Sequence, residues 1–187
     1  MEIISTEIPG LVALKLHPYK DERGFFVETW REEWAQKLQL ERPFIQDNHT
    51  KSMHKGVLRG LHFQCPPHAQ AKLVWVTRGA VYDVAVDIRE GSSTYGKWHG
   101  LVLSEENMLR FFVPAGFAHG YMVLEPDTEF HYKVDAYYAP QSEGGILWDD
   151  PALAVAWPAL PPVLSSRDKE LPLMRSFETP FKYRKKQ

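Results

Sequence analysis

A single cysteine, Cys65, in 187 residues rules out an internal disulfide and any zinc site built on cysteines. It fits a reducing compartment, which sets the expectation of a cytoplasmic protein. Long hydrophobic runs are also missing. The longest apolar stretch, near Pro151–Leu164, is interrupted by four prolines and cannot run as a membrane helix. The N-terminus, with Glu2, Glu7 and Pro9, lacks the basic-then-apolar order of a secretory signal. Net charge is small: Lys+Arg 22 against Asp+Glu 24 leaves -2, so there is no overall basic field of the kind nucleic-acid binders use. No internal repeat, low-complexity linker or composition shift marks a boundary. Residues 1–187 are therefore expected to fold as a single domain.

What is present in quantity is aromatic. Phe, Tyr and Trp make up 13% of the chain, enough to supply stacking surfaces for a base or a sugar. One convincing helix is predicted over Trp30–Leu40, with Trp30, Trp34 and Leu38 on one face and Thr29 with Glu32 as a capping box. After it the period changes to two. Leu73 and Trp75, then Val81, Asp83, Ala85 and Asp87, alternate with Val74, Val76, Tyr82, Val84, Val86 and Ile88, and Thr77-Arg78-Gly79 supplies a turn. Phe111–Val113, Gly120–Leu124 and Glu129–Tyr138 read as further strands. Many short strands and no βαβ alternation predict an all-β antiparallel sandwich or barrel. The tail Leu160–Gln187 reads as loop, with a solvated basic end at Lys182–Lys186.

Two segments place polar residues among these apolar strands. One is Gly56-Val57-Leu58-Arg59-Gly60-Leu61-His62-Phe63-Gln64, continuing to Lys72 and Gly79; the other is Pro114-Ala115-Gly116-Phe117-Ala118-His119-Gly120. Together they resemble the two motifs of the cupin superfamily, which implies a jelly-roll β-barrel. Where metal-binding cupins carry two His, a Glu and a later His, this chain has His62, Gln64, Lys72 and His119. A protonated Lys has no lone pair and repels a divalent ion, so the pocket is expected to use no metal and no cofactor. A neutral His62 can remove a proton beside a carbonyl. The Lys72 ammonium can hold the enolate that forms, and the Tyr132 phenol can return a proton. That set describes a keto-sugar epimerase or isomerase rather than a hydrolase.

The resemblance sharpens over Asn48-His49, Gly56–Gln64, Pro66-Pro67, Gln70-x-Lys72-Leu73-Val74, Gly79–Asp87, Gly96-x-Trp98, Leu103-Ser104, Pro114–Gly120, Tyr132-Lys133 and Asp149-Asp150-Pro151. From about Pro9 to Pro172 the chain is similar to the dTDP-4-dehydrorhamnose 3,5-epimerase family. The resemblance implies that His62 is the general base, oriented by Asp168, that Tyr132 is the acid, and that Lys72 and His119 hold the sugar and its C4 oxyanion. It also implies that Arg23, Glu28, Gln46, Asn48, Arg59, Glu143 and Arg167 bind the dTDP-sugar and that Tyr138 stacks on the thymine. Arg167 stands where the family pattern has Lys, which keeps the charge and changes its shape. A homodimer with an exchanged N-terminal strand is implied, with Arg23 and Glu28 serving the neighbouring pocket.

Each of these residues has an ordinary reading beside it. Lys72 can be a charge that protects a strand edge. Ser165-Ser166-Arg167-Asp168 is also a capping box. Tyr132 can be a packed strand aromatic, and Tyr137 competes with Tyr138 for the stacking position. His17, His49, His54, His68, His99 and His131 read as surface or satisfied core residues. The rival functions are an epimerase of one centre only, a sugar-nucleotide-binding cupin without catalysis, and a metal-dependent cupin, the last opposed by Gln64 and Lys72.

Overall fold

The structure, a computed structural model, describes residues 1–183. Thirteen strands and two short α-helices follow one another. Strands β1 (Glu2–Ser5), β2 (Val12–Lys15), β3 (Tyr19–Asp21) and β4 (Gly24–Phe26) precede helix α1 (Glu33–Lys37). Then come β5 (Gln46–Ser52), β6 (Leu58–Gln64), β7 (Lys72–Arg78), β8 (Ala80–Asp87), β9 (Trp98–Ser104) and β10 (Leu109–Val113). The last are β11 (Phe117–Val123), β12 (Thr128–Val134) and β13 (Glu143–Gly145), with α2 (Ser166–Lys169) beyond them. A six-stranded sheet runs β1-β2-β10-β7-β12-β5, a five-stranded sheet β13-β6-β11-β8-β9, and β3-β4 form a separate ribbon. All pairings within these sheets are antiparallel, as the period-two alternation predicts.

The largest core lies between the two main sheets. Val74, Val76, Phe111, Val113 and Phe130 come from the six-stranded sheet, and Val81, Ala85, Leu103, Phe117, Tyr121 and Val123 from the five-stranded one. Large side chains of this kind contribute roughly 1.5–3 kcal/mol each when fully buried. The outer face of the six-stranded sheet packs Leu14, Leu73 and Phe112 against Trp34 and Leu38. The outer face of the five-stranded sheet packs Val84, Val86 and Ile88 under Ile146, Leu153 and Phe181. The turn at Thr77-Arg78-Gly79 is real, but it joins strands of different sheets rather than forming a hairpin. Gly79 turns there with φ +75, and a Cβ on it would stand 2.4 Å from Thr128 Oγ1.

Three expectations on local structure are corrected. The helix spans Glu33–Lys37 rather than Trp30–Leu40, and the Thr29–Glu32 box does not form: Glu32 is the N-cap, with helical angles and no side-chain cap bond. Glu28 instead pairs with Arg31 at 2.7 Å, and Gln39 leaves the helix with φ +52. Trp30 still packs edge-on against Trp34, with centroids 5.8 Å apart. The strand predicted to reach Tyr138 stops at Val134, where the Asp135 carboxylate turns back to accept from Ala71 N at 2.7 Å and to meet Arg42 at 3.1 Å. The tail is not plain loop. It contains α2 and a 3-10 turn at Met174–Ser176, and Phe181 is buried. Of the basic end, Lys182 is exposed and its backbone forms an isolated parallel β-bridge with Glu90, while 184–186 lie outside the described residues.

One local feature sets the site's geometry. In the pairing of β6 with β11, His62 faces His119 and Arg59 faces Tyr121, with a register shift between the two pairs. Three residues of β6 thus span two of β11, a bulge that turns both Arg59 and His62 to the same side. Gly60 sits in the bulge at φ +137, and a Cβ on it would lie 2.5 Å from Gly120 Cα and 3.0 Å from His119 O. These are backbone atoms, so the strands would have to part. Gly60→Ala is expected to destabilise the protein by about 2–4 kcal/mol and to displace Arg59 and His62. Thermal unfolding measures the first effect; an unchanged Tm would show that the bulge does not need glycine.

Candidate active site

Polar residues stand among apolar ones on the inward faces of the central strands. On β7 the inward residues are Lys72, Val74 and Val76; on β8, Val81, Asp83 and Ala85; on β12, Phe130, Tyr132 and Val134. Strand β11 adds His119 and Tyr121, and β6 adds His62 and Arg59 through its bulge. A cavity of about 300 Å³ results, lined by Thr50, Arg59, His62, Lys72, His119, Tyr121, Phe130, Tyr132, Ser165, Arg167 and Asp168.

Two histidine–carboxylate pairs face each other across the β6–β11 register. His62 Nε2 lies 2.5 Å from Asp168 Oδ1, and His119 Nε2 lies 2.8 Å from Asp83 Oδ1. In the His62 pair a Nε2–H donating to Asp168 leaves the lone pair on Nδ1, the arrangement a general base needs. Burial pushes the Asp168 carboxyl up, but the hydrogen bond and charge of His62, with help from Ser165, hold it below the usual carboxylate range. Asp168 keeps its ordinary role as well. Its backbone N–H donates to Ser165 Oγ at 3.1 Å, closing the N-terminus of α2. The capped position of α2 and the histidine partner are one residue.

Asp83 is wholly buried. Burial pushes its carboxyl up, against the pull of His119 and Lys72, and its Oδ2 accepts no hydrogen bond among the described residues. Lys72 is the fixed cation nearby. The residue is half-buried in the cleft, and burial lowers its pKa to about 8 against the opposing pull of Glu143 and Asp83. Burial also raises the Tyr132 phenol above its ordinary value, which keeps it a proton donor at neutral pH. The neighbouring Tyr121 hydroxyl is engaged with Thr50 Oγ1 at 3.0 Å. At the rim, Glu143 accepts from Tyr138 Oη at 2.7 Å and from Arg167 Nη1 at 2.5 Å.

Gln64, at the position of the second histidine in the cupin pattern, has its amide fully occupied. It donates to His68 O and Tyr137 O at 2.8 and 3.2 Å and accepts from Ala139 N at 2.8 Å. It fastens a loop rather than pointing a free donor at an ion. A second cavity, of about 360 Å³, is lined by Trp148, Trp157 and neighbouring residues. The Asp150 carboxylate beside it is taken up by Ala152 N and Met174 N, so that cavity lacks the chemistry of the first.

Of the thirteen residues singled out from sequence, His62, Lys72, Tyr132, Asp168, Arg59, His119 and Arg167 line one cavity. Tyr138 and Glu143 join it through Arg167. Gln46 and Asn48 hydrogen-bond each other at 2.8 Å and share the inward face of β5 with Thr50. Arg23 and Glu28 are not brought in: they are exposed and pair with Asp21 and Arg31. Sequence reasoning gave no role to Asp83, Tyr121 or Thr50. For Asp83 a signal existed, since a carboxylate between Val81 and Ala85 at period two must point into the core.

The sequence model of the dTDP-4-dehydrorhamnose 3,5-epimerase family matches residues 5–176. A dTDP-4-dehydrorhamnose 3,5-epimerase of Shigella flexneri is 47% identical over 169 residues, covering 90% of this chain and 93% of that one. The structure resembles that of a dTDP-6-deoxy-D-glucose-3,5-epimerase from Legionella pneumophila in complex with dTDP-4-keto-L-rhamnose, with TM-score 0.94, 44% identity and coverage of 98% and 99%. It also resembles a 3'-monoepimerase from Streptomyces bikiniensis in complex with dTDP-quinovose, at TM-score 0.85 and 33% identity, covering 92% of this chain and 87% of that one.

The buried ammonium can be tested without substrate. An NMR titration of isotopically labelled lysine amines should show one amine titrating near pH 8, where ordinary lysines titrate at about 10.4, and Lys72→Met should remove it. If all lysines titrate together, Lys72 is solvated.

Proposed function

The chain belongs to the dTDP-4-dehydrorhamnose 3,5-epimerase family of isomerases, and from that premise we propose that it inverts C3 and C5 of dTDP-4-dehydro-6-deoxy-D-glucose. The product is dTDP-4-dehydro-L-rhamnose, a precursor of dTDP-L-rhamnose for cell-surface polysaccharide. The observation that carries this reading is that His62 and Tyr132 line one cavity from opposite sheets. A base and an acid on opposite walls act on opposite faces of a ring held between them, and that is what inverts a carbon.

His62 takes the proton from a carbon beside the C4 ketone through Nδ1, and Asp168 steadies the imidazolium. The C–H electrons move to the C4 oxygen, where the Lys72 ammonium and the His119 imidazole meet the enolate charge. When the enolate collapses, the Tyr132 phenol gives its proton to the same carbon from the other face. Solvent resets both groups, and nothing is oxidised or reduced. C3 and C5 flank the same ketone, so one enolate-stabilising group serves both. Arg59 and Arg167 supply the positive charge for the diphosphate, and Tyr138 supplies a ring for the base, with Gln46, Asn48 and Glu143 as polar partners.

We read the two sheets as halves of a cupin-type jelly roll in a single domain, supported by the way successive strands from β5 to β8 alternate between them. Homodimerisation is supported by the β3–β4 ribbon, which exposes Tyr19, Phe25 and Phe26 and carries Arg23 away from its own cavity. A second copy offers Arg23 and Glu28 a pocket to complete. A cytoplasmic location accords with the lone cysteine; among the described residues no helix is long and apolar enough to cross a membrane. The likeness to a 3'-monoepimerase keeps inversion of one centre as the second reading.

Proton NMR of the keto-sugar in heavy water separates these readings: deuterium enters at C3 and C5 for the main one, at one carbon for the second, and at neither for a protein that only binds. His62→Ala is expected to cost about 10²–10⁴-fold in exchange while dTDP still binds; a comparable rate would demote His62 to packing. Tyr132→Phe should let solvent deuterium enter with retained configuration while the L-sugar forms much more slowly. A parallel fall in both would assign Tyr132 to enolate formation or sugar positioning instead. Because the Lys72 ammonium is present below about pH 8 and neutral above it, the wild-type rate should decline as pH rises through that value. Activity that holds steady well above it would remove the ammonium from the mechanism.

A further inference from the structure

The outer face of the six-stranded sheet carries a group of side chains that this mechanism does not use. On β12, Glu129 and His131 alternate with the inward Phe130 and Tyr132, so both point outward. On β5, His49 is the direct partner of His131 in the register. Each of the three brings one donor atom, and the donor atoms all lie within 4.8 Å of one another.

We propose that His49, Glu129 and His131 form a binding site for a divalent transition-metal ion, zinc in the first instance. Two imidazoles and a carboxylate are a ligand set that suits zinc and leaves a fourth position for water. Bonds of about 2.0–2.1 Å around a tetrahedral ion place neighbouring donors about 3.3 Å apart. His49 Nε2 already stands 3.2 Å from Glu129 Oε2, so one edge of that tetrahedron is formed. The His131 ring is held in place on both sides. It stacks against His49 with centroids 4.1 Å apart and against Trp75 at 5.6 Å, and its Nε2 meets the Thr77 hydroxyl at 2.8 Å. Such outer hydrogen bonds fix the orientation of a ligating histidine. The two imidazoles stand nearly parallel, so the exposed His49 must turn out of that stack to aim its lone pair at a shared ion.

The cations nearest the group are Arg78 and Lys51, which flank Glu129 in the register on either side. Lys51, opposite Glu129 in the register, is paired with Asp127 at 3.4 Å. Arg110 lies beyond Trp75, over its ring at 4.0 Å, with the indole between it and the histidines. An ion here would clamp β5, the edge strand of its sheet, to β12. Both strands present pocket residues on their other face, Thr50 and Tyr132.

The test is zinc binding to untagged, chelator-treated full-length protein, followed by calorimetry, with cobalt absorption as an independent measure of a nitrogen–oxygen ligand set. The wild type should bind one zinc per chain at micromolar concentration or below, with a rise in Tm. His49→Gln and Glu129→Gln, both at accessible positions, and His131→Ala should each weaken binding about tenfold or more. His62→Ala should bind as the wild type does. The proposal is overturned if the wild type takes up no zinc, if only one of the three variants loses affinity, or if His62→Ala is the variant that loses it.

Discussion

Moving an ionised side chain from water into the space between two sheets costs several kcal/mol per ion unless a partner and hydrogen bonds await it. The inward faces of this protein carry His62, His119, Asp83 and Lys72 at one end of a largely apolar core, and Asp168 reaches them from α2. Each histidine there has its carboxylate within 2.8 Å. That pairing lets the strands keep polar residues at period-two positions where valine would pack more cheaply. It is incomplete: Asp83 keeps one oxygen without a hydrogen bond, and Lys72 sits far below the usual lysine range. Of the two, the underpaired Lys72 ammonium is the one an arriving anionic oxygen would satisfy.

The same constraint explains why the C-terminal segment matters. Asp168 belongs to a turn of helix 106 residues from His62 in sequence, held by the Ser165 cap and by the bridge of Val163 to Val57. If the segment were loose, His62 would lose the group that orients it and stabilises its charged form. A cap and a catalytic orienter are often weighed as alternatives. Here the backbone N–H does one job and the side-chain oxygens the other, so they do not compete.

Much of this was legible in the residues, for identifiable reasons. Period-two alternation with Gly and Pro punctuation gave the antiparallel strands, because in-out alternation leaves a direct trace in composition. His62 and His119 stood out because a polar residue amid Leu, Phe and Val is conspicuous. The two strands' pairing partners, by contrast, left no local trace. Which sheet β7 and β8 belong to depends on the whole topology, so a turn at Thr77-Arg78-Gly79 looked like any other. The bulge at Gly60 was hidden because strict alternation would set Arg59 and His62 on opposite faces. Helix α1 was overread since Trp30, Trp34 and Leu38 share a face at helical spacing, although Trp30 reaches its neighbours from outside the helix. Arg23 and Glu28 came from resemblance alone, and nothing in one copy of the chain gathers them to the cavity.

The two-sheet architecture also bears on why inversion is the chemistry this scaffold suits. A deprotonated carbon beside a ketone is planar and can be reprotonated from either side. A site on one wall would return the proton to the face it left, and the net result would be exchange alone. In a sandwich each sheet is a separate wall, and His62 and Tyr132 are fixed to different ones by the hydrogen bonding of β6 and β12. On the proposed assignment the substrate ring needs only to lie in the gap, its ketone toward Lys72 and His119, and the opposition of the two walls is what turns proton exchange into inversion.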